Sequence, residues 1–397
     1  MNILFTIHHN LSRNAGAPGV TVKLAEALRA RGHSVQILSH DNVKGDGGVA
    51  CAILFPWFVL AHVITHPEYD VLDMSSGDGW VINLTRRMFG WRRRQVSMTR
   101  SHGMEPYAHT VFIEACRSGK FTKSWKYRFY HGGLSLWQCT KSFAWADVAM
   151  VLNDTEYDFA VSKLKFDKDH VVQIGNGIDE TFTAIARDAL KGGPAQAGKD
   201  AVAEAGADAP APLNLAFIGR ATYWKGIDTL AAAFAPLCER NPHVTLTLLG
   251  TGETVDATLA YFPPATHERI TVIPSFDNER LPELLASCQI LTFPSMIEGF
   301  PLSPLEAMAC GLVPVVSDIG GLRTYIRNGD NGVSVPLGDA AALEKAIQSL
   351  IDEPAQWAAM QQRARETALE HSWANVADRF ELLYASRLRQ RAAPVAA

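Results

Sequence analysis

Short apolar runs alternate along the chain with longer stretches in which apolar residues return every third or fourth position. The first pattern reads as a strand buried on both faces, the second as a helix lying on a sheet. In the front half the strand pattern falls at 2–8, 34–39, 70–74, 95–100, 147–152 and 170–174. Between the first two, Val20, Leu24, Ala27 and Leu28 keep helical spacing over 18–31, and Gly32 stands at the usual stop position. The rhythm restarts with strands near 213–219, 244–249, 270–273, 289–293, 313–316 and 331–335. Helices accompany them near 226–240, 279–287, 303–310 and 339–352, and two more close the chain at 354–370 and 373–390. Such alternation predicts parallel sheets with helices on both faces.

Residues 188–212 interrupt this rhythm with Ala, Gly, Asp and Pro and almost no large apolar side chain, so they read as a linker or surface excursion. The expected organisation is α/β, with two Rossmann-like, doubly wound parallel-sheet domains facing across a cleft. The first covers 1–185, the linker 186–212 and the second domain 213–372; a C-terminal helix and frayed tail at 373–397 pack back on the first domain. A chain of 397 residues suits two cores, since single cores stop growing at about 250–300 residues. Ligands of such sheets bind outside the carboxyl ends of the strands.

Composition narrows the function classes. A net charge of −4 removes a strongly basic nucleic-acid binder. Residues 1–180 carry 20 Lys and Arg against 17 Asp and Glu, the remainder 17 against 24. A mildly basic front half suits an anionic acceptor or membrane, or is plain surface variation. Six scattered cysteines with no C-x-x-C pair argue against a zinc site or disulfide framework and fit a reducing cytoplasm. Met1 runs directly into the strand-like Ile3–Ile7, which is no signal peptide. The apolar stretch 49–63 is interrupted by Pro56 and His62 and falls short of a span of about 20 residues. It reads as a buried helix in preference to a membrane-dipping one.

The most informative segment is 294–318. Phe293 ends a strand and Gly299-Phe300-Pro301 form a loop. Ser303 is placed as a helix N-cap, with Pro304 first in the helix and Glu306 third, a capping box. Glu298 then stands at the strand's carboxyl end and Glu306 in the first helical turn. Free backbone N–H groups there favour a pyrophosphate, and Gly299 lets the backbone approach closely. A carboxylate in the first turn can accept both hydroxyls of a ribose; alternatively Glu306 only caps the helix.

The Glu-x7-Glu spacing inside EGFPLSPLEAMACG resembles the donor signature of retaining glycosyltransferases of family 4, which have the GT-B fold. Phe217-Ile218-Gly219-Arg220 with Tyr223 to Asp228 resembles that family's G-R-x-x-x-x-K-G segment, and Leu249 to Glu253, with Gly250, its second glycine turn. Ser317 to Gly321 with Asn328 to Gly332 resembles the stretch closing the donor domain, and Asn176 to Asp179 the N-G-[IV]-D at the domain junction. The resemblance covers 150–375 well and 1–150 in outline. It implies that Arg220 and Lys225 neutralise the donor's pyrophosphate, that Glu298 touches the donor sugar and Glu306 the ribose, and that the amides of Gly299, Phe300, Pro301 and Leu302 line phosphates and sugar. In the front half Asn14 to Gly19, with Gly16 and Gly19, resembles the family's glycine-rich loop but lacks its Gly-Gly pair. Thr99 to Gly103 resembles the strand end bearing the family's cleft histidine, so that His102 hydrogen-bonds a sugar hydroxyl or acts as a base. Thr324 stands where the family usually has an acidic residue.

The resemblance implies hexose transfer, with retention, from a nucleoside-diphosphate sugar to a glycan, lipid-linked or small-molecule acceptor in cell-envelope or exopolysaccharide synthesis. It implies a cytoplasmic enzyme, soluble or peripheral at the inner face of the plasma membrane. No cofactor beyond the donor and no metal is expected, since no Asp-x-Asp stands beside the donor elements. Residues 86–94 and 120–130 interleave cations with aromatics. They suit a membrane surface or lipid-phosphate acceptor, or an ordinary surface helix with inward aromatics; nothing else supports nucleic acid. Rival readings are a nucleotide-sugar epimerase and a non-catalytic donor-binding subunit. An NAD-dependent oxidoreductase is also weighed, but Val255 leaves G-x-G-x-x-G incomplete.

Overall fold

The computed structural model describes residues 1–14, 16–43, 49–91, 94–191 and 213–392. They form two compact units, Met1–Asn176 with Trp373–Ala397, and Gly177–Ser372. Each of the twelve expected strands forms.

The first unit is built on β1 (Asn2–Ile7), β2 (Ser34–Ser39), β3 (Val71–Ser75), β4 (Val96–Arg100), β5 (Val148–Val151) and β6 (Val171–Gln173). They lie in the order β2-β1-β3-β4-β5-β6, every pair parallel. Ile3, Leu4, Phe5 and Ile7 of β1 are all fully buried. That explains the unbroken apolar run: helices cover both faces, so the sequence has no reason to alternate. The C-terminal helix Trp373–Ala392 belongs to this unit. Its Tyr384 hydroxyl donates to the buried Asp73 Oδ2 at 2.6 Å, and Arg100 Nε from the end of β4 stands 3.3 Å from Asp73 Oδ1.

The second unit repeats the plan with β7 (Leu213–Ile218), β8 (Val244–Leu249), β9 (Ile270–Ile273), β10 (Ile290–Phe293), β11 (Val313–Ser317) and β12 (Val333–Val335). Their order is β12-β11-β10-β7-β8-β9. Phe217, Leu230, Phe234, Leu246, Ile290, Val313 and Leu343 anchor its core. In each sheet the winding reverses once, between β1 and β3 and between β7 and β10. The carboxyl ends flanking such a reversal are where open α/β sheets bind ligands.

Two local outcomes differ from the sequence expectations. The composition break begins inside a helix, Glu180–Lys191, whose Phe182, Thr183 and Ala186 are buried in the second unit. The division between units thus falls at Asn176/Gly177 and not at 185; the rest of the expected linker, 192–212, and the tail 393–397 lie outside the described residues. The apolar stretch after residue 48 is a helix, Val49–Thr65, that buries only one face: Phe55, Pro56, Val59 and Val63 are buried, whereas Leu54, Trp57 and Ile64 are each more than half exposed.

Candidate functional site

At the reversal in the second unit, the loops after β7 and β10 meet. β7 runs into Gly219 at φ +146°, and the following 3-10 turn Tyr223–Lys225 ends on Gly226 at φ +74°. Both values lie where glycine carries little penalty. A Cβ on Gly226 would stand 2.0 Å from the Pro294 carbonyl oxygen, so only glycine admits this contact. Met296 N–H donates to Trp224 O at 2.9 Å and locks the two loops together. Lys225 is thereby aimed across the gap: its Nζ lies 2.5 Å from Glu298 Oε1 and 5.3 Å above the Phe293 ring. The two side chains are 31% and 14% exposed, open enough to meet a ligand.

Glu306 sits in the helix Ser303–Ala309, nearly buried, where Asn278 Nδ2 donates to its Oε1 at 3.4 Å. The expected capping box does not form. The chain is already helical at Leu302 (φ −84°, ψ −33°), and Glu306 N–H donates to Leu302 O, so Ser303 begins the helix instead of capping it. Pro301 has no N–H, which leaves Gly299, Phe300 and Leu302 as the amides of this loop. Phe300 is buried between Tyr325 and His371, with ring centroids 5.2 and 6.0 Å away. Tyr325 hydroxyl donates to Pro301 O at 2.7 Å. Burial, then the charges of Glu298 and Glu306, push that phenol well above its ordinary range, so it remains a donor and reports that both carboxylates lie near it. A Cβ on Gly321 would stand 2.7 Å from the carbonyl oxygens of Glu298 and Gly299, so the helix Gly320–Arg323 braces the same loop. Thr324 turns its hydroxyl back onto Gly320 O at 3.1 Å.

Arg220 is exposed at the rim. Its Nε would lie 3.4 Å from a Cβ on Gly252 (φ +70°), so the arginine lies along the glycine turn after β8. Gly250 (φ +74°) opens that turn beneath the Phe276 ring.

The first unit has a different cluster at its reversal. His8 follows β1, and its Nδ1 lies 2.7 Å from Asp78 Oδ1, whose other oxygen accepts from Thr6 Oγ1 at 2.8 Å. Asp78 sits in a 3-10 turn opened by Ser76, a non-glycine residue at φ +44°. Burial opposes the His8 imidazolium, but the charge and hydrogen bond of Asp78 outweigh it and raise the group to about 9. His102, just beyond β4, is the opposite case. Burial first, then Arg100, His8 and His9, push it well below its ordinary value. Ser75 Oγ donates to Thr6 O at 2.7 Å and meets His102 Nε2 at 2.9 Å. The single hydroxyl hydrogen is thus spent on Thr6, so Nε2 carries the ring proton and Nδ1 a lone pair. Gly16 opens the helix Gly16–Ala30 with nothing near its missing side chain, whereas a Cβ on Gly19 would stand 2.5 Å from Arg13 O. Ala15, between Asn14 and Gly16 in the glycine-rich loop, lies outside the described residues. A separate cavity of about 900 Å³, lined by Arg87, Trp145, Lys165, His170 and Arg391, opens at the amino ends of β5 and β6, the wrong ends for this chemistry.

Known proteins resemble this chain most clearly in its second unit. The family model described as glycosyl transferases group 1 matches residues 206–367. Over residues 206–367 the chain is similar to the group 1 glycosyltransferases. Among curated relatives, a D-inositol 3-phosphate glycosyltransferase of Rhodococcus jostii (strain RHA1) is 33% identical over 43% of this chain and 39% of its own length. A glycogen synthase of Mycobacterium tuberculosis is 34% identical over 46% and 45%. The chain spans about two fifths of the length of the first relatives it matches. Among solved structures, sucrose-phosphate synthase from Thermosynechococcus elongatus superposes with a TM-score of 0.71 at 21% identity, over 98% of this chain and 100% of that one. Anabaena HepE, in complex with UDP-glucose, gives 0.67 at 18% over 97% and 100%. At such identities these structures establish the GT-B fold and no more.

Sequence reading did not single out Tyr325, Asn278, His8 or Asp78. Only His8 carried a usable signal, a polar residue at the carboxyl end of the first strand.

Proposed function

We propose that the protein is a retaining glycosyltransferase that moves a hexose from a nucleoside-diphosphate sugar, with the donor held at the reversal of the second sheet. The observation that carries this reading is the Lys225–Glu298 pair at 2.5 Å, set on loops that glycines bring together at the carboxyl ends of β7 and β10. A lysine there supplies positive charge where the leaving diphosphate gains negative charge, and the exposed Arg220 adds a second cation from the rim. Glu298 then faces the donor sugar and Glu306, next to Asn278, the ribose. Gly299, Phe300 and Leu302 offer amides to the phosphates, and Gly219 and Gly250 keep side chains out of their path. With cations and amides in these roles the reaction needs no divalent metal and no cofactor beyond the donor. The named complex of HepE with UDP-glucose supports a nucleotide-sugar donor by analogy.

On the acceptor side we assign His102 to a sugar hydroxyl, which its Nδ1 lone pair can accept, and Gly16 and Gly19 to the loop opening the first helix. The acceptor is a glycan, a lipid-linked sugar or a small molecule, in a cell-envelope or exopolysaccharide role on the cytoplasmic side of the membrane. No helix among the described residues is long and apolar enough to cross a membrane. Contact with an anionic membrane surface through 86–94 and 120–130 is part of the proposal, with a restriction. Arg86 is buried against Asp147 at 2.8 Å and cannot serve, and Arg92 and Arg93 lie outside the described residues. In the second segment Tyr127 packs inward on His109 and Phe112, while Trp125 and Phe129 are 72% and 68% exposed.

The test is a thermal-shift panel of UDP, GDP and ADP and their glucose conjugates. A ligand that binds only the folded protein at about 100 times its Kd stabilises it by about 2.7 kcal/mol. One nucleoside diphosphate should raise the melting temperature, and Lys225→Ala should remove most of that rise. No shift from any of them, or an undiminished shift in Lys225→Ala, overturns the assignment.

A further inference from the structure

The helix Val49–Thr65 contains no charged residue in 17 positions. Its inner face packs Phe55, Val59 and Val63 into the first unit's core. On its outer face Leu54, Trp57 and Ile64, spaced to share one side of a helix, are 59%, 53% and 54% exposed. A surface helix of a globular domain ordinarily carries charged residues there. The apolar surface continues sideways: Trp57 meets Trp80 edge to face at 5.8 Å, and Trp80 meets Trp137 at 5.2 Å, itself 42% exposed. Single exposed apolar residues need no explanation, but a connected row of them does.

The charges around this surface are sorted. Segments 49–65, 80–94 and 117–145 contain no Asp or Glu but 11 Lys and Arg, whereas the rest of residues 1–176 holds 15 acidic residues against 9 basic. The same three segments supply Val49, Leu54, Trp57, Ile64, Met88, Phe89, Trp125, Phe129, Leu134 and Trp137. Among the described residues of the first unit, only Leu11 and Leu382 are exposed large hydrophobics outside them. Apolar exposure and an excess of basic over acidic residues therefore fall in the same segments, the pairing that suits a surface apolar beneath and anionic above. Tryptophan favours that boundary.

We propose that the outer face of helix Val49–Thr65, with Trp137 beside it, lies in the headgroup–acyl boundary of an anionic bilayer. This deepens the membrane contact put forward above by naming the element that enters the lipid. The basic segments supply attraction and the helix supplies apolar burial, so the site works only when both are present.

Sedimentation of the full chain with vesicles of phosphatidylcholine, with and without phosphatidylglycerol, tests this. The wild type should pellet with the anionic vesicles. Trp57→Glu and the double variant Leu54→Ser/Ile64→Ser should each weaken partition about tenfold, with far-UV circular dichroism, melting temperature and the nucleotide-induced thermal shift unchanged. Salt-sensitive binding that survives in both variants overturns the helix assignment and leaves the basic segments as the contact. No binding by the wild type overturns both, while the nucleotide shift reports independently on the donor site. Concentration-dependent self-association that Trp57→Glu abolishes, without vesicle binding, would give the face to a second copy of the chain and also overturn the proposal.

Discussion

The two sheets are wound in different orders, with two strands on the near side of the reversal in the first and three in the second, and they use their reversal points differently. In the second unit the carboxyl ends of β7 and β10 are kept narrow by glycines, and the candidate groups are main-chain amides and the half-buried Lys225–Glu298 ion pair. In the first unit the ends of β1, β3 and β4 carry imidazoles, carboxylates and hydroxyls in a partly buried network, with His8 charged and His102 neutral. On the proposed reading, a site made of backbone suits one invariant ligand, a diphosphate, because every amide has the same chemistry. A site made of side chains can be rewritten residue by residue, which is what a variable acceptor demands. If those assignments hold, the fixed task falls to one sheet and the adaptable one to the other.

The sharpest way to break this comparison is at Glu298. If that ion pair does the chemistry, Glu298→Ala should lower transfer about a thousandfold, the scale for losing one preorganised electrostatic group, while the melting temperature stays close to that of the wild type. Release of nucleoside diphosphate, measured with the donor identified by the thermal-shift panel, reports it. Turnover near the wild-type rate would remove Glu298 from the site.

Glycine substitutions test the claim that the second site is backbone and the first is not. Gly226→Ala places a Cβ 2.0 Å from Pro294 O at φ +74°, so clash and left-handed strain combine. Stability should fall by about 2–4 kcal/mol, read by urea unfolding. Gly16→Ala meets nothing within 4 Å and sits in a helix, so stability there should hold or rise by up to about 1 kcal/mol. Equal costs at the two positions would erase the distinction.

The extent to which this was legible beforehand follows the same division. The strands were readable because burial on both faces leaves an uninterrupted apolar run, as at Ile3-Leu4-Phe5. Glu298 and Lys225 were singled out by the family resemblance of their segments, and the folded loops bring them together, whereas the close approach at Gly226 was not foreseen. Ser303 misled because capping depends on whether the preceding residue has already turned helical, and Leu302 has. Tyr325 and Asn278 act through contacts formed only when distant loops fold together, so no local pattern encodes them. The His8–Asp78 pair is separated by 70 residues and is equally invisible until β1 and β3 lie side by side.

That pair gives the third prediction. The folded-state value of His8 is raised to about 9, above its ordinary 6.5, so its stabilisation is complete below pH 6.5 and fades as pH rises through 9. His102 tilts the other way: its lowered value costs stability as pH falls below 6.5. The melting temperature should therefore decline between pH 7 and 9.5, by the equivalent of about 2–3 kcal/mol, and Asp78→Asn should flatten that decline. A decline of the same size in the variant would mean that another group carries it.

The smallest effect expected is at His102, and its smallness separates two roles. A base must change protonation during turnover, and a half-buried neutral imidazole flanked by Arg100 and the His8 charge resists gaining a proton. A hydrogen-bond acceptor needs only the Nδ1 lone pair, which the amide oxygen of asparagine can place in nearly the same position. His102→Asn should therefore lower kcat/KM by about tenfold or less, the value of a single hydrogen bond of about 1 kcal/mol, and leave the pH–rate profile between 5.5 and 8 without a limb of its own. A wild-type limb near 6.5 that disappears in His102→Asn, together with a loss of several hundredfold, would show that the ring titrates during the reaction. The first unit would then be a catalytic partner of the second and not its adaptable counterpart.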